Sequence, residues 1–171
     1  MGLFAFIGRI ARHRWIDASD SRRRLGDEGI ARLQSRVTAS ELVHRGEIRI
    51  CVEAGLPMSY LRRGAPARER AITLFGKLRV WDTADNSGVL IYLLLAEHRI
   101  EIVADRGLNR HVTPEQWQAL TAAMSASFQA GHMVEGLEKA VDAVHELLAT
   151  HFPLVDGALN ENELPDAVVL L

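Results

Sequence analysis

One cysteine stands in this chain of 171 residues. No intramolecular disulfide is therefore possible, and the position of Cys51 in a predicted strand marks a buried structural thiol. No apolar run reaches membrane-spanning length; GVLIYLLL, from Gly88 to Leu95, is too short and suits a core strand. Met1 to Phe6 is apolar, but Arg9 follows closely and no small-residue cleavage site does, so no secretory signal is expected. The expected compartment is the cytoplasm, with a peripheral place at the inner membrane left open by the N-terminus. MGLFAF lacks the Ser or Thr of a myristoylation signal. A formal net charge of −2 excludes a general affinity for nucleic acid. No Gly-rich phosphate loop, glycine elbow around a serine, internal repeat or low-complexity tract is visible, and His111, His145 and His151 lack the spacing of a helical zinc site.

What is present is apolar patterning over the whole chain, with 48% hydrophobic residues, enough for one sizeable core. Gly88 to Leu95 is almost continuously apolar and lacks Pro, as a strand buried on both faces requires. Arg99 to Asp105 then alternates, and the short Glu97-His98 link predicts an antiparallel hairpin. Placing Ala96 opposite Arg99 sets Gly88 opposite Gly107.

Upstream, Asp20 or Ser21 caps a predicted helix to about Leu42, with Leu25, Ile30, Leu33 and Val37 inward. Ile48, Ile50 and Val52 mark a first strand. Ser59 to Gly64 reads as a connection, and Pro66 opens a second helix with Ala71, Leu74, Phe75 and Leu78 inward. Downstream, Thr113-Pro114-Glu115-Gln116 is a helix start of the capping-box type, followed by a stripe of Trp117, Leu120, Met124 and Phe128 that reads as core. Gly131 ends that helix, and Leu137, Val141, Val144 and Leu148 form the stripe of a last one stopped by Pro153. The order predicts an α/β fold, a three-layer αβα sandwich around a small mixed sheet. Its parts would be an amphipathic segment over 1–19, the sandwich over 20–153, and a loop-like acidic tail over 154–171. Arg9, Arg12, Arg14, Arg22, Arg23 and Arg24 crowd the first 24 residues, beside Phe4, Phe6, Ile7 and Ile10. That segment either lies on an anionic membrane surface or docks on its own domain, with its arginines facing Glu161, Glu163 and Asp166; docking is the expected arrangement.

This topology brings the starts of the first two strands and the end of the third to one edge. Asp82, Asp85 and Asn86 then meet Asp105 and Arg106, with His44 and Glu47 close by. Carboxylate and amide oxygens grouped in this way suit a hard cation, Ca²⁺ or Mg²⁺, with Asp82, Asp85, Asn86 and Asp105 as candidate ligands and His44 and Arg106 near a substrate anion. Turn chemistry is the alternative, in which Asp and Asn bond their own backbone and Asp105 pairs with an arginine.

The run RAITLFGKLRVWDTADNSGVLIYLLLAEHRIEIVADRGL, followed by Trp117, Met124, Phe128 and NELPD, resembles the TPM domain, closest to its short bacterial branch without a signal. The resemblance covers roughly residues 20–171 and is carried most specifically by NSGVL and ADRGL. It implies an αβα fold, and divalent metal at this sheet end through the matching Asp85, Asn86, Gly88 and Asp105. It also implies a LemA-type protein partner at the membrane. A plant lumenal relative is described as an acid phosphatase, and the resemblance implies phosphatase activity as one expectation. The chain departs from secreted members at ADRG, where they show a Gly-Tyr-Gly-Leu type of strand end. Two functions stay open: an accessory interaction module with a divalent-metal cluster, or a metal-dependent phosphatase of low activity acting on phosphomonoesters.

Overall fold

In the computed structural model, residues 3–16, 18–155 and 162–171 are described. Helix α1 (Leu3–Arg14) precedes α2 (Ala18–Glu41), strand β1 (Ile48–Glu53), the short α3 (Met58–Arg62) and α4 (Ala67–Lys77). The hairpin β2 (Val89–Leu94) and β3 (Arg99–Ala104) follows, then α5 (Arg106–Asn109), α6 (Pro114–Gln129), α7 (Met133–His151) and β4 (Val169–Leu170). The sheet order is β3-β2-β1-β4, with β1 parallel to β2 and β4, and β2 antiparallel to β3.

Period-two alternation explains the sandwich. Ile48, Ile50, Val52, Val89, Ile91, Leu93, Ile100 and Ile102 point to one face, where they pack with Leu33 and Val37 of α2, Phe128 of α6 and Val141, Val144 and Leu148 of α7. Cys51, Leu90, Tyr92, Leu94 and Val103 point to the other, against Leu61 of α3 and Ala67, Ala71 and Leu74 of α4, with Ile10 of α1 alongside. Because both faces are covered, β2 has no polar position, and all six of its residues are buried. This is the expected αβα sandwich. Gly26, at φ 69° and ψ 155°, breaks the α2 ladder near its start, a conformation open to glycine. Exposed ion pairs, Arg32–Glu138 at 2.8 Å and Arg36–Asp142 at 2.6 Å, run between α2 and α7.

The capping box forms as expected: Thr113 N–H donates to Gln116 Oε1 at 2.7 Å, and Gln116 N–H to Thr113 Oγ1 at 3.3 Å. Three expectations are corrected. The hairpin register pairs Leu94 with Arg99, so Gly88 faces Asp105 rather than Gly107. Its cause is a longer turn, a 3₁₀ turn over Leu95–Glu97 closed by His98 in the left-handed region at φ 47°. The tail is not all loop, since Val169 and Leu170 add a fourth strand beside Cys51 and Val52. The connection after β1 contains a helical turn, α3.

α1 docks on the body. Arg9 donates to Glu97 at 2.8 Å and to the Ala65 carbonyl at 2.8 Å, and the buried His13 bonds Glu97 and the Leu56 amide at 3.0 Å each. The arginine-to-tail contact drawn from the sequence is replaced by others: Glu163 accepts from Ala84 N–H, and Asp166 accepts from Thr38 and Asn162. Glu161 and the side chains of Leu3 and Phe4 lie outside the described residues. No helix among the described residues is long and apolar enough to cross a membrane.

Candidate functional site

The edge where β1 and β2 begin and β3 ends is built by short-range backbone bonds. Val89 N–H donates to the Glu47 carbonyl at 2.8 Å, and Asp105 N–H to the Gly88 carbonyl at 2.9 Å, so Asp105 lies directly across from the 82–88 loop. The loop is braced from within: Ser87 N–H bonds Thr83 Oγ1 at 3.0 Å, Ser87 Oγ bonds the Arg45 carbonyl at 3.1 Å, and Asn86 adopts φ 53°. Asn86 O then accepts from Gly107 N–H at 3.0 Å. A methyl group at Gly107 would sit 2.5 Å from Asn86 O and 2.6 Å from Asp85 O, and one at Gly88 would overlap the Val80 carbonyl. The two motif glycines, in NSGVL and ADRGL, are what let loop and strand end approach this closely.

Three of the four candidate ligands come together here, two of them, Asp85 and Asn86, each bonded by a guanidinium. Asp85 Oδ2 pairs with Arg45 Nη1 at 2.6 Å. Asn86 Oδ1 accepts from Arg106 Nε at 2.8 Å. Asp105 Oδ1 accepts from the Arg106 amide at 2.6 Å and opens α5. Asp105 Oδ2 is buried and has no hydrogen-bond partner among the described residues. Asp82 turns aside, paired with Arg79 at 2.5 Å.

His44 is buried and faces inward. Its Nδ1 accepts from Gly46 N–H at 3.3 Å, so Nε2 carries the proton and donates to Ser40 Oγ at 2.8 Å. Ser40 in turn bonds His145 Nδ1 at 2.9 Å. Burial, with His145 nearby, lowers the His44 pKa to about 4, so the ring stays neutral. This chain ties α2 to α7 rather than serving the loop. Among the described residues no three His, Cys, Asp or Glu side chains form a group that could hold a metal ion.

Two features escape sequence reasoning. Arg45 neutralises Asp85; its only signal is a basic residue just before a strand predicted to begin at the acidic edge. The tail closes the same edge: Glu47, almost fully buried, accepts from Glu163 N–H at 3.3 Å and Leu164 N–H at 3.2 Å, while Glu163 reaches Ala84 N–H at 3.0 Å. Burial raises the Glu47 pKa above the ordinary carboxylate range. Nearby, Glu41 accepts from Ile48 N–H at 2.8 Å, and its own burial raises its pKa to about 9.

Residues 18–147 match the model of the TPM domain. This chain belongs to the TPM domain family. Its fold resembles the NMR structure of the BA42 protein from the psychrophilic bacterium Bizionia argentinensis, with a TM-score of 0.72 and 24% identity over 84% of this chain and 93% of that one. It also resembles the N-terminal domain of a protein from P. gingivalis, with a TM-score of 0.61 and 19% identity over 75% of this chain and 78% of that one. No curated protein matches.

Proposed function

We propose that this TPM domain is an accessory interaction module that takes up a divalent cation, Ca²⁺ or Mg²⁺, at the edge formed by Asp85, Asn86 and Asp105, with Asp82 at the rim. The observation that carries this reading is Asp105 Oδ2, a buried carboxylate oxygen with no donor among the described residues. Such an atom forgoes about 1–3 kcal/mol of hydration unless something supplies positive charge. Hard oxygen donors in this number suit Ca²⁺ or Mg²⁺ rather than a softer metal. The Arg45–Asp85 ion pair and the Arg106–Asn86 hydrogen bond hold the oxygens until a cation competes for them. Release of Arg45 and Arg106 would then present two guanidinium groups to an acidic partner surface.

Phosphomonoester hydrolysis is the second reading, favoured by the same two guanidiniums, whose planar donors fit phosphoryl oxygens. A bound cation would polarise such an oxygen.

Calorimetric titration of the whole chain with CaCl₂ and with MgCl₂ tests the site. Asp85→Ala and Asp105→Asn should weaken binding, while Asp142→Ala, on remote α7, should leave it unchanged. Equal titrations for all of them would sink the proposal. A phosphomonoester assay on the cation-saturated protein, with and without Arg45→Ala, separates hydrolysis from an accessory role.

A further inference from the structure

Among the described side chains of α1, docking uses one side of the helix. Arg9, Ile10 and His13 face the body, through Glu97, Ala65, Leu56 and the apolar cluster under α3 and α4. One turn apart on the opposite side stand Ile7, Ala11 and Trp15, spaced i, i+4, i+8, with Trp15 N–H still bonded to the Ala11 carbonyl at 3.2 Å. Ile7 is 54% exposed and Trp15 88% exposed. An indole left almost wholly in water at the end of a helix is a costly feature for a surface with no partner.

The polar residues beside this stripe are basic. Arg12 and Arg14 are exposed and make no hydrogen bond or ion pair with any described residue, unlike Arg9. No acidic residue occurs between Leu3 and Arg14. The neighbouring α3 adds Arg62, likewise exposed and unpaired. The nearest carboxylate to which α1 is bonded, Glu97, is already engaged by Arg9 and His13.

We infer that the outer face of α1 seats this domain on an anionic phospholipid surface, with Trp15 and Ile7 entering the headgroup boundary and Arg12, Arg14 and Arg62 meeting lipid phosphates. The match is one of charge and depth: Trp favours the interface, where its ring is apolar and its N–H stays wet, and arginines flank it at headgroup level. Docking of the inner face aids this. The helix is already folded and oriented, so binding does not have to order it. The contact is peripheral and reversible, because few apolar groups enter and the rest of the attraction is electrostatic.

The experiment is co-sedimentation of the full chain with vesicles of phosphatidylcholine containing a minority of phosphatidylglycerol, at low salt. The protein should pellet with these vesicles, stay in solution with pure phosphatidylcholine, and be released as salt approaches about 1 M, where charges are screened within roughly 3 Å. Arg12→Gln and Arg14→Gln should each weaken partitioning roughly fivefold, and Trp15→Ala should weaken it further. None of the three side chains touches the core, so circular dichroism should be unchanged. Brominated acyl chains should quench tryptophan emission in the wild type but not in Trp15→Phe. Failure to pellet at low salt, equal binding to neutral vesicles, or full binding by the folded Arg12→Gln/Arg14→Gln/Trp15→Ala variant would overturn the inference; in the last case another surface, or a protein contaminant, carries the binding.

Discussion

His13 Nε2 and Glu97 Oε1 lie 3.0 Å apart, and the same carboxylate oxygen receives Arg9 Nε at 2.8 Å. Since Leu56 N–H donates to His13 Nδ1, the ring proton sits on Nε2 and points at Glu97. Two side chains from one helix thus converge on a single carboxylate at the far end of the hairpin. The N-terminal helix is thereby a built part of the domain.

The first prediction follows from that convergence. The hydrogen bond from His13, then that from Arg9, lowers the Glu97 pKa to about 2. A depressed carboxylate stabilises the fold above its ordinary value of 4.5, and this contribution is lost as pH falls from there through about 2. Glu97→Gln should therefore lower unfolding free energy by about 1–3 kcal/mol near neutrality and by progressively less in acid. Urea melts of both proteins at pH 7 and pH 3 read this directly; an equal deficit at both would count against the ionic contact.

Glu41 behaves in the opposite sense. Burial, added to the charges of Glu47 and Asp166, raises its pKa to about 9, so the folded protein holds a proton that the unfolded chain gives up near 4.5. Stability should fall as pH rises between those two values, because the folded state binds more protons throughout that window. Glu41→Gln keeps an acceptor for Ile48 N–H and supplies a donor in place of the acid proton. It should hold wild-type stability or better at pH 8 and flatten this part of the profile. Glu41→Ala should cost about 1–3 kcal/mol, since Ile48 N–H loses its acceptor.

Arg45→Ala separates stability from binding at the candidate site. The Arg45–Asp85 pair is substantially exposed on both sides, at 44% and 34%, so its loss should change unfolding free energy by no more than about 1 kcal/mol. The same change frees Asp85, so the calorimetric affinity for Ca²⁺ should rise. A lower affinity would mean that Arg45 supports the oxygen cluster rather than blocking it.

Much of this architecture is legible in the sequence because it rests on periodicity. The apolar Val89–Leu94 run, the capping box at Thr113 and the stripes of α2, α6 and α7 each carry a repeating signal over several residues. Strand β4 carries none: two residues beside a fully buried partner show no alternation. The hairpin slipped by two because the 3₁₀ turn adds length that Glu97-His98 does not announce. At the site, convergence of Asp85, Asn86 and Asp105 follows from strand direction. The choice of Arg45 as partner, the turning away of Asp82 and the inward rotation of His44 depend on rotamers and on neighbours distant in sequence, Ser40–His145 above all. The seal formed by Glu47 and Glu163 joins residues 116 apart, beyond any local pattern.

Gly88 and Gly107 provide the last test, because each explains a short motif by contact rather than by flexibility. A Cβ at Gly88 would overlap the Val80 carbonyl, and backbone on both sides is fixed, Val80 by its bond to Phe75 O at 3.0 Å and Gly88 by its bond from Asp105. Gly107 faces the carbonyls of Asp85 and Asn86 in the same manner. Gly88→Ala and Gly107→Ala should each destabilise by roughly 1–3 kcal/mol through overpacking against backbone that cannot rotate away. Gly76→Ala, at an open position in α4, should be neutral or stabilising by a few tenths up to about 1 kcal/mol. Gly107→Ala should also weaken cation binding more than its stability loss implies, since any relief of the clash moves the Asp85–Asn86 backbone away from Asp105. Thermal melts set beside calcium titrations distinguish this from a purely structural role: wild-type affinity in the folded Gly107→Ala protein would show that the close approach serves packing alone.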